Sequence, residues 1–204
     1  MGKAYSEEEK IEIKKRLWEE GIKLFHEEGS EELNIRELTK RAGISLGSFY
    51  NFYTDKATLT REIMNYRAGQ KLDIIRKTFG ESLKNPKEYL INIISSNFKD
   101  MSEKVNTKGI YKKSFTEAFD CKEHLDEEDM NVYISFLDEL ATYWNQNGYK
   151  CEIDSRGIIF TVLEIINMNK SKAYIPQAYL EVMINDFLVC GINRYVTEGS
   201  RRNH

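Results

Sequence analysis

The stretch Asn34 to Leu59, NIRELTKRAGISLGSFYNFYTDKATL, decides how the chain is read. Asn34 followed by Glu37 is a helix start, with a side-chain oxygen at the cap and a carboxylate at the third position. The helix it opens is predicted to stop at Gly43, because glycine takes the left-handed backbone of a helix end at little cost. Ser45 then caps a third short helix through Leu46-Gly47-Ser48-Phe49-Tyr50-Asn51-Phe52. Thr54-Asp55 begins a long helix reaching about Thr78. Phe49 and Phe52 are expected to point onto Leu17, Leu24, Phe25, Leu38 and Ile44, which leaves Ser45, Leu46, Gly47, Ser48, Tyr50 and Asn51 facing out.

A short helix presented beyond a tight turn can enter the major groove of DNA while the helix before it crosses the backbone. Asn34 and Arg36 stand at the start of the second helix, whose first amides can seat a phosphate. Gly47 lets the backbone approach, and Ser48 and Asn51 can hydrogen-bond base edges. Tyr50 and Lys56 are placed to reach phosphates. Charge alone argues weakly for this surface. From Asn34 to Lys56 the cations Arg36, Lys40, Arg41 and Lys56 exceed the anions Glu37 and Asp55 by two, in a chain of net charge −3. What matters is where the cations sit. Tyr50 taken alone is as open to a structural reading as to a functional one; the ordered series of cap, turn and aromatics favours DNA.

Working outward, Ser6-Glu7-Glu8-Glu9 is a capping box. The helix behind it sets Leu17, Gly21, Leu24 and Phe25 on one face and should end at Gly29. Downstream, Asn85-Pro86-Lys87-Glu88 starts a helix carrying Leu90, Ile93, Ile94 and Phe98. Tyr111, Phe115 and Phe119 suit a shorter one. Asp126 opens a helix with Val132, Tyr133, Phe136, Leu137, Leu140 and Trp144. Asp154 opens the apolar segment Ile158–Met168, and a last helix runs from Pro176 to about Val196. Only Pro86 and Pro176 break this pattern, and no sustained period-two alternation or internal repeat occurs. With 41% hydrophobic and 31% charged residues, the chain has the balance of a folded globular protein rather than a disordered one. The class is all-α.

The helix, the glycine, the capped short helix, the R-A-G-I-S turn, the G-S-F-Y core and the following K-A-T-L resemble the TetR family of regulators over about Leu17 to Leu59. The resemblance implies an N-terminal three-helix helix-turn-helix domain, set here at residues 1–54, and a larger helical effector-binding and dimerisation domain at 55–204. It implies a homodimer built on the last two helices and, as in most members, a repressor that leaves a palindromic operator when a small molecule binds. There are departures. Leu46 stands where the family often has lysine, Asn51 where arginine or histidine is frequent, and Thr54 where proline or serine is common. Thr54 remains competent as an N-cap.

Ile158, Ile159, Val162, Ile165 and Ile166, with Leu180, Ile184, Phe187, Leu188, Gly191 and Tyr195, make the last two helices unusually apolar. Pairing with symmetry mates in a four-helix interface, with Gly191 at a close approach, is one reading; an intramolecular core is the other. Two recognition helices must meet half-sites about one DNA turn, or a multiple, apart, so dimerisation bears on mechanism. Tyr89, Phe98, Tyr111, Phe115, Phe119, Tyr133, Phe136, Tyr143, Trp144 and Phe160 could line a cavity for an apolar or amphipathic effector, or could be ordinary packing. Glu164 could face a cationic ligand in that cavity, or be a paired carboxylate at an interface. The long helix from Thr54 is the expected lever between effector and DNA.

No Gly-rich phosphate loop, H-E-x-x-H or G-x-S-x-G occurs, so neither a catalytic residue nor a cofactor is expected. Cys121-Lys122-Glu123-His124, followed by Asp126 to Asp129, looks like a metal-ligand cluster, but no second Cys/His pair supports it, and a solvated acidic loop is the plainer reading. Cys121, Cys151 and Cys190 are odd in number and far apart, which suits a reducing cytoplasm. The start of the chain has no secretory signal, and the longest apolar stretch, Ile158 to Ile166, is too short to cross a membrane. A cytoplasmic protein with double-stranded DNA, a small molecule and a second copy of itself as partners is the expectation. Two other readings compete: an all-helical enzyme, marked by turnover without operator binding, and a ligand-binding or interaction protein that has lost DNA binding, which Leu46 favours.

Overall fold

The computed structural model describes residues 5–27, 32–113, 127–170 and 174–199, which are helical apart from one pair of short strands. They divide into two compact units, Met1–Gln70 with Glu103–Leu125, and Lys71–Ser102 with Asp126–His204.

The first unit, the head, holds α1 (Glu7–His26), α2 (Ile35–Arg41), α3 (Leu46–Phe49) and the beginning of α4 (Lys56–Arg76). Local chemistry sets the boundaries. Ser6 Oγ accepts from the Glu9 amide at 3.1 Å and Glu9 Oε2 accepts from the Ser6 amide at 2.9 Å, so the capping box closes α1 as expected. That helix ends at His26 with Glu27 as an extended cap; Gly29 lies outside the described residues. Ile13, Leu17, Gly21, Leu24 and Phe25 form its buried stripe.

At α4 the cap differs from expectation. Asp55, not Thr54, accepts from the Thr58 amide at 2.7 Å, and the Thr54 hydroxyl donates to Asp55 Oδ2 at 2.9 Å. A carboxylate is the stronger acceptor and sits at the positive end of the helix dipole. The Thr58 amide holds the Asp55 carboxyl below the usual carboxylate range.

The head's core also takes a segment from far along the chain. The end of α6 (Pro86–Thr107) and a helical turn over 109–113 bring Ile110 and Tyr111, both buried, onto the cluster of Leu17, Phe25, Leu38 and Phe49.

The second unit comprises the rest of α4 and most of α6 with α5 (Phe79–Ser82), α7 (Glu127–Gln146), β1 (Lys150–Ile153), α8 (Ser155–Lys170), α9 (Gln177–Tyr195) and β2 (Val196–Gly199). Its core gathers Leu90, Phe136, Leu140, Trp144, Ile158 and Leu188. Trp144 is fully buried and its indole N–H donates to Ser82 Oγ at 2.7 Å, which meets the polar demand of both groups. Asn85 caps α6 through the Glu88 amide at 3.3 Å, and Asp154 caps α8 through the Gly157 amide at 2.9 Å, as their positions predict.

The strand pair is the departure from the expected absence of alternation. β1 and β2 run antiparallel, with Lys150 opposite Gly199 and Ile153 opposite Val196. Four residues are too few for a periodic signal. The Asn145 carboxamide satisfies Cys151 on both sides, accepting its N–H at 2.9 Å and donating to its carbonyl at 2.7 Å. Gly148, at φ +89°, makes the turn from α7 into β1.

Candidate nucleic-acid interface

Asn34 Oδ1 accepts from the amides of Arg36 at 3.0 Å and Glu37 at 3.2 Å, so its side chain is committed to capping α2. At the other end Gly43 takes φ +72°. The Gly43 amide reaches the Lys40 carbonyl at 3.2 Å and the Ile44 amide the Thr39 carbonyl at 3.0 Å, a Schellman ending that reverses the chain in two residues. Ser45 Oγ then accepts from the Ser48 amide at 3.0 Å and starts α3. Phe49 is buried and stacks on Tyr53 with ring centroids 5.5 Å apart. With those rings inside, the opposite surface of α3 faces outward.

Tyr50 is 64% exposed there, with Gly47 and Asn51 also exposed and Leu46, Ser48 and Lys56 half-buried. Across the turn Arg36 and Lys40 are exposed. A Cβ at Gly47 would meet only Ser45 Oγ, at 3.8 Å, so the glycine keeps an open backbone surface rather than an internal contact. The nine residues expected to read DNA are all exposed or half-buried. Asn34 and Ser45 also serve as caps, Ser48 is hydrogen-bonded, and Lys56 is ion-paired.

The local charges are uneven. The Arg41 guanidinium is bound by the Glu27 carboxylate and by Glu37 at 2.8 Å. Those bonds push its pKa further up and hold Glu27 below the usual carboxylate range. Lys56 Nζ lies 3.8 Å from Glu32, whose carboxylate Lys113 also binds. Arg36 and Lys40 make no ion pair among the described residues.

Several residues that hold this surface were not singled out from the sequence. The Tyr5 hydroxyl donates to Ser48 Oγ at 3.2 Å, its ring lies 5.5 Å from Phe52, and Ser48 Oγ is 2.8 Å from Ser45 Oγ. The Ser48 hydroxyl is therefore held in a fixed position. Tyr53, at the far end of α3, donates to Glu62 Oε2 at 2.6 Å, and Trp18 Nε1 reaches both Tyr53 Oη at 2.9 Å and Glu62 at 3.1 Å. Lys14 Nζ joins Glu62 at 3.2 Å. Burial first, and the Glu62 bond second, drive the Tyr53 phenol far above its ordinary value. The Trp18 and Lys14 pairs lie 35 to 48 residues apart along the chain, beyond any spacing rule.

The other expected residues separate. Tyr89, Phe98 and Phe136 pack in the second unit's core, and Tyr89 Oη is 2.8 Å from the Thr78 hydroxyl. Tyr111 is a correction: it belongs to the head, against Phe25 at 5.2 Å and under the Arg67 guanidinium, because the stretch after α6 folds onto α1. Phe115 and the Cys121–His124 cluster lie outside the described residues. Phe160, 54% exposed, and Glu164 stand on the open side of α8 rather than inward.

The expected interface stripe also divides. Ile158, Ile165, Leu180, Leu188 and Gly191 are buried within the chain, where α8 and α9 pack on each other. A Cβ at Gly191 would come within 2.6 Å of the Thr161 hydroxyl, so this glycine serves an internal approach, not one between copies. Val162 and Ile184 are half-buried, and Phe187 remains outside with Tyr179, Val182, Met183 and Phe160. Both helices are apolar on two sides, and periodicity does not choose between them.

Among the described residues no group of His, Cys, Asp and Glu could hold a metal ion, and no helix is long and apolar enough to cross a membrane.

Residues 17–63, from the middle of α1 into α4, match the family of bacterial regulatory proteins, tetR family. The chain is also similar to the uncharacterized HTH-type transcriptional regulator YerO of Bacillus subtilis (strain 168), at 32% identity over 94 residues. That similarity takes in 45% of this chain and about a third, 32%, of the relative's length. With the capped turn, the buried Phe49 and the outward Tyr50 inside the matched span, residues 17–63 carry the N-terminal helix-turn-helix domain of the tetR family of bacterial regulatory proteins.

Proposed function

We propose that the chain is a DNA-binding transcriptional regulator, not an enzyme, acting as a homodimeric repressor that a small-molecule effector releases from a palindromic operator. The observation that carries this reading is the outward surface of α3. A Schellman turn and the caps of α2 and α3 present Gly47, Tyr50 and Asn51 to solvent, with Arg36 and Lys40 beside them. A four-residue helix held by buried aromatics on its other side is the shape that a major groove admits.

The homodimer is supported by the open face of α8 and α9. Phe160, Tyr179, Val182, Met183 and Phe187 are large apolar residues gathered on one pair of helices, an arrangement that soluble monomers rarely leave in water. Support for an effector comes from the aromatic content of the second unit, where Tyr133 is 39% exposed. Tyr89, Phe98 and Phe136 in the same unit would add aromatic lining for an apolar or amphipathic molecule. Residues 1–54 would read DNA and 55–204 would bind effector and partner.

The test is a gel-shift titration against DNA from upstream of the chain's own gene, beside unrelated DNA and a Tyr50→Ala variant. Specific retardation that the variant weakens by roughly tenfold is expected, since Tyr50 would lose a phosphate contact while the core keeps its packing. Retardation no stronger than with unrelated DNA, followed by no enrichment on selection from random duplexes, would sink the regulator reading.

A further inference from the structure

Glu32 stands between two cations of the head. Its Oε2 accepts from the Lys113 ammonium and lies 3.8 Å from Lys56 Nζ, so one oxygen is shared by two positive charges. The two contacts are unequal, one a hydrogen bond and the other at the outer limit of an ion pair. Lys113 reaches Glu32 from the segment that Ile110 and Tyr111 pin into the core, and Lys108 Nζ fixes that segment to the His26 carbonyl at 3.4 Å. Lys56 is the residue at the start of α4 that the DNA-reading surface would turn to a phosphate.

We propose that Glu32 sets how much of the Lys56 charge a DNA phosphate can use, and that Lys113 restrains Glu32 from neutralising it. The proposal rests on the DNA-binding reading above and adds an affinity-setting pair to it. Two ammonium groups compete for one carboxylate. While Lys113 holds it, Lys56 keeps only the longer and weaker of the two contacts. Without Lys113 the carboxylate is left to the remaining cation and competes with the phosphate. Glu32 and Lys113 are each about half exposed, so the effect is that of a screened pair, a few-fold change in binding rather than an on–off switch.

Phosphate contacts alone drive non-specific binding, so the operator is not needed for the test. The probe is a fluorescently labelled duplex of random sequence, titrated with the full chain over a series of salt concentrations. Glu32→Gln should tighten binding roughly two- to five-fold, and Lys113→Gln should weaken it by a similar factor. Lys113→Gln placed in the Glu32→Gln background should change nothing further, and Lys113→Arg should bind as the unaltered chain does. In a Lys56→Gln background Glu32→Gln should give no gain, and the salt dependence should be shallower by about one phosphate.

Equal loss from Lys113→Gln with or without Glu32 would make Lys113 an independent DNA contact and overturn the proposal. A gain from Glu32→Gln that survives the loss of Lys56 would do the same, by reducing Glu32 to general repulsion. Failure of the DNA-binding reading itself shows in the unaltered chain, as binding that salt does not weaken, before any variant is made.

Discussion

The head and the last two helices use their large side chains in opposite ways. In the head, aromatics turn inward: Phe25, Phe49, Tyr53 and Tyr111 are all buried, and Tyr50 is the one ring of α3 and its flanking turn left exposed. In α8 and α9 the inner surface is made of isoleucine, leucine, threonine and glycine, and the rings of Phe160, Tyr179 and Phe187 stand outside with Met183. The head is thus a finished unit that shows mostly polar groups, with Tyr50 its one large exposed ring among the described residues and Ile11 an isolated apolar side chain. The helix pair has a finished inside and an unfinished outside. A single exposed aromatic on a polar surface suits contact with a charged polymer, whereas a collected apolar face suits another protein surface.

Four variants would break or sharpen this contrast, in descending order of effect. Phe49→Ala removes the ring that Tyr53 stacks on in the packed head and should cost about 3–5 kcal/mol. Chemical denaturation and hydrogen exchange in α1 would register it; protection equal to that of the unaltered chain would mean the head does not depend on inward aromatics. Phe187→Glu combined with Met183→Glu should weaken self-association by about 2–4 kcal/mol, measured by sedimentation, with the helical signal retained. An unchanged sedimentation profile would leave the open face without a role in assembly.

Gly157→Ala comes next. A Cβ at this position would approach Tyr195 Cε1 to 2.6 Å, so the half-buried ring would have to shift. The cost should be about 1–3 kcal/mol in thermal unfolding, and a neutral result would show that the helix pair is looser inside than its packing implies.

The smallest effect belongs to Tyr53→Phe, which keeps the ring and deletes the bond to Glu62, at about 1 kcal/mol near neutral pH. This change also carries a pH signature. The folded chain holds the Tyr53 proton far above the ordinary 10.0, while the unfolded chain releases it there. The stability contributed by the raised pKa is complete below that ordinary value and is lost as pH rises beyond it. The phenylalanine variant should therefore lose stability less steeply above pH 10 than the unaltered chain; parallel alkaline limbs would show that the phenol is not buried as described.

What could be read in advance was whatever depends on near neighbours. Ser6 with Glu9, Asn34 with Glu37, Gly43 and Ser45 each act over three or four residues, through amides left open at helix ends, and each stands where its residue type predicts. Thr54 shows the limit even there: two adjacent residues could both cap, and the stronger acceptor, Asp55, prevailed. The four-residue strands and the Asn145 side chain that stands in for a third strand were invisible, since neither leaves a repeating pattern. Tyr111 misled because an aromatic beside other aromatics in sequence looks like a member of their cluster. The chain instead turns it onto α1, about 85 residues upstream of it.

The amino-acid sequence by itself determined the all-helical class, the helix-turn-helix and the outward residues of α3. Its caps, its glycine turn and one strongly preferred inward side make those choices locally, with no competing solution. Only the tertiary structure decided which side of α8 and α9 is inside, that 108–113 completes the head, and that Tyr5 bonds Ser48, Tyr53 bonds Glu62 and Lys113 bonds Glu32. Those outcomes depend on contacts between residues tens of positions apart. There a nearly all-apolar helix has two equivalent sides until packing volume, such as the Gly191 seat for Thr161, makes one of them the better fit.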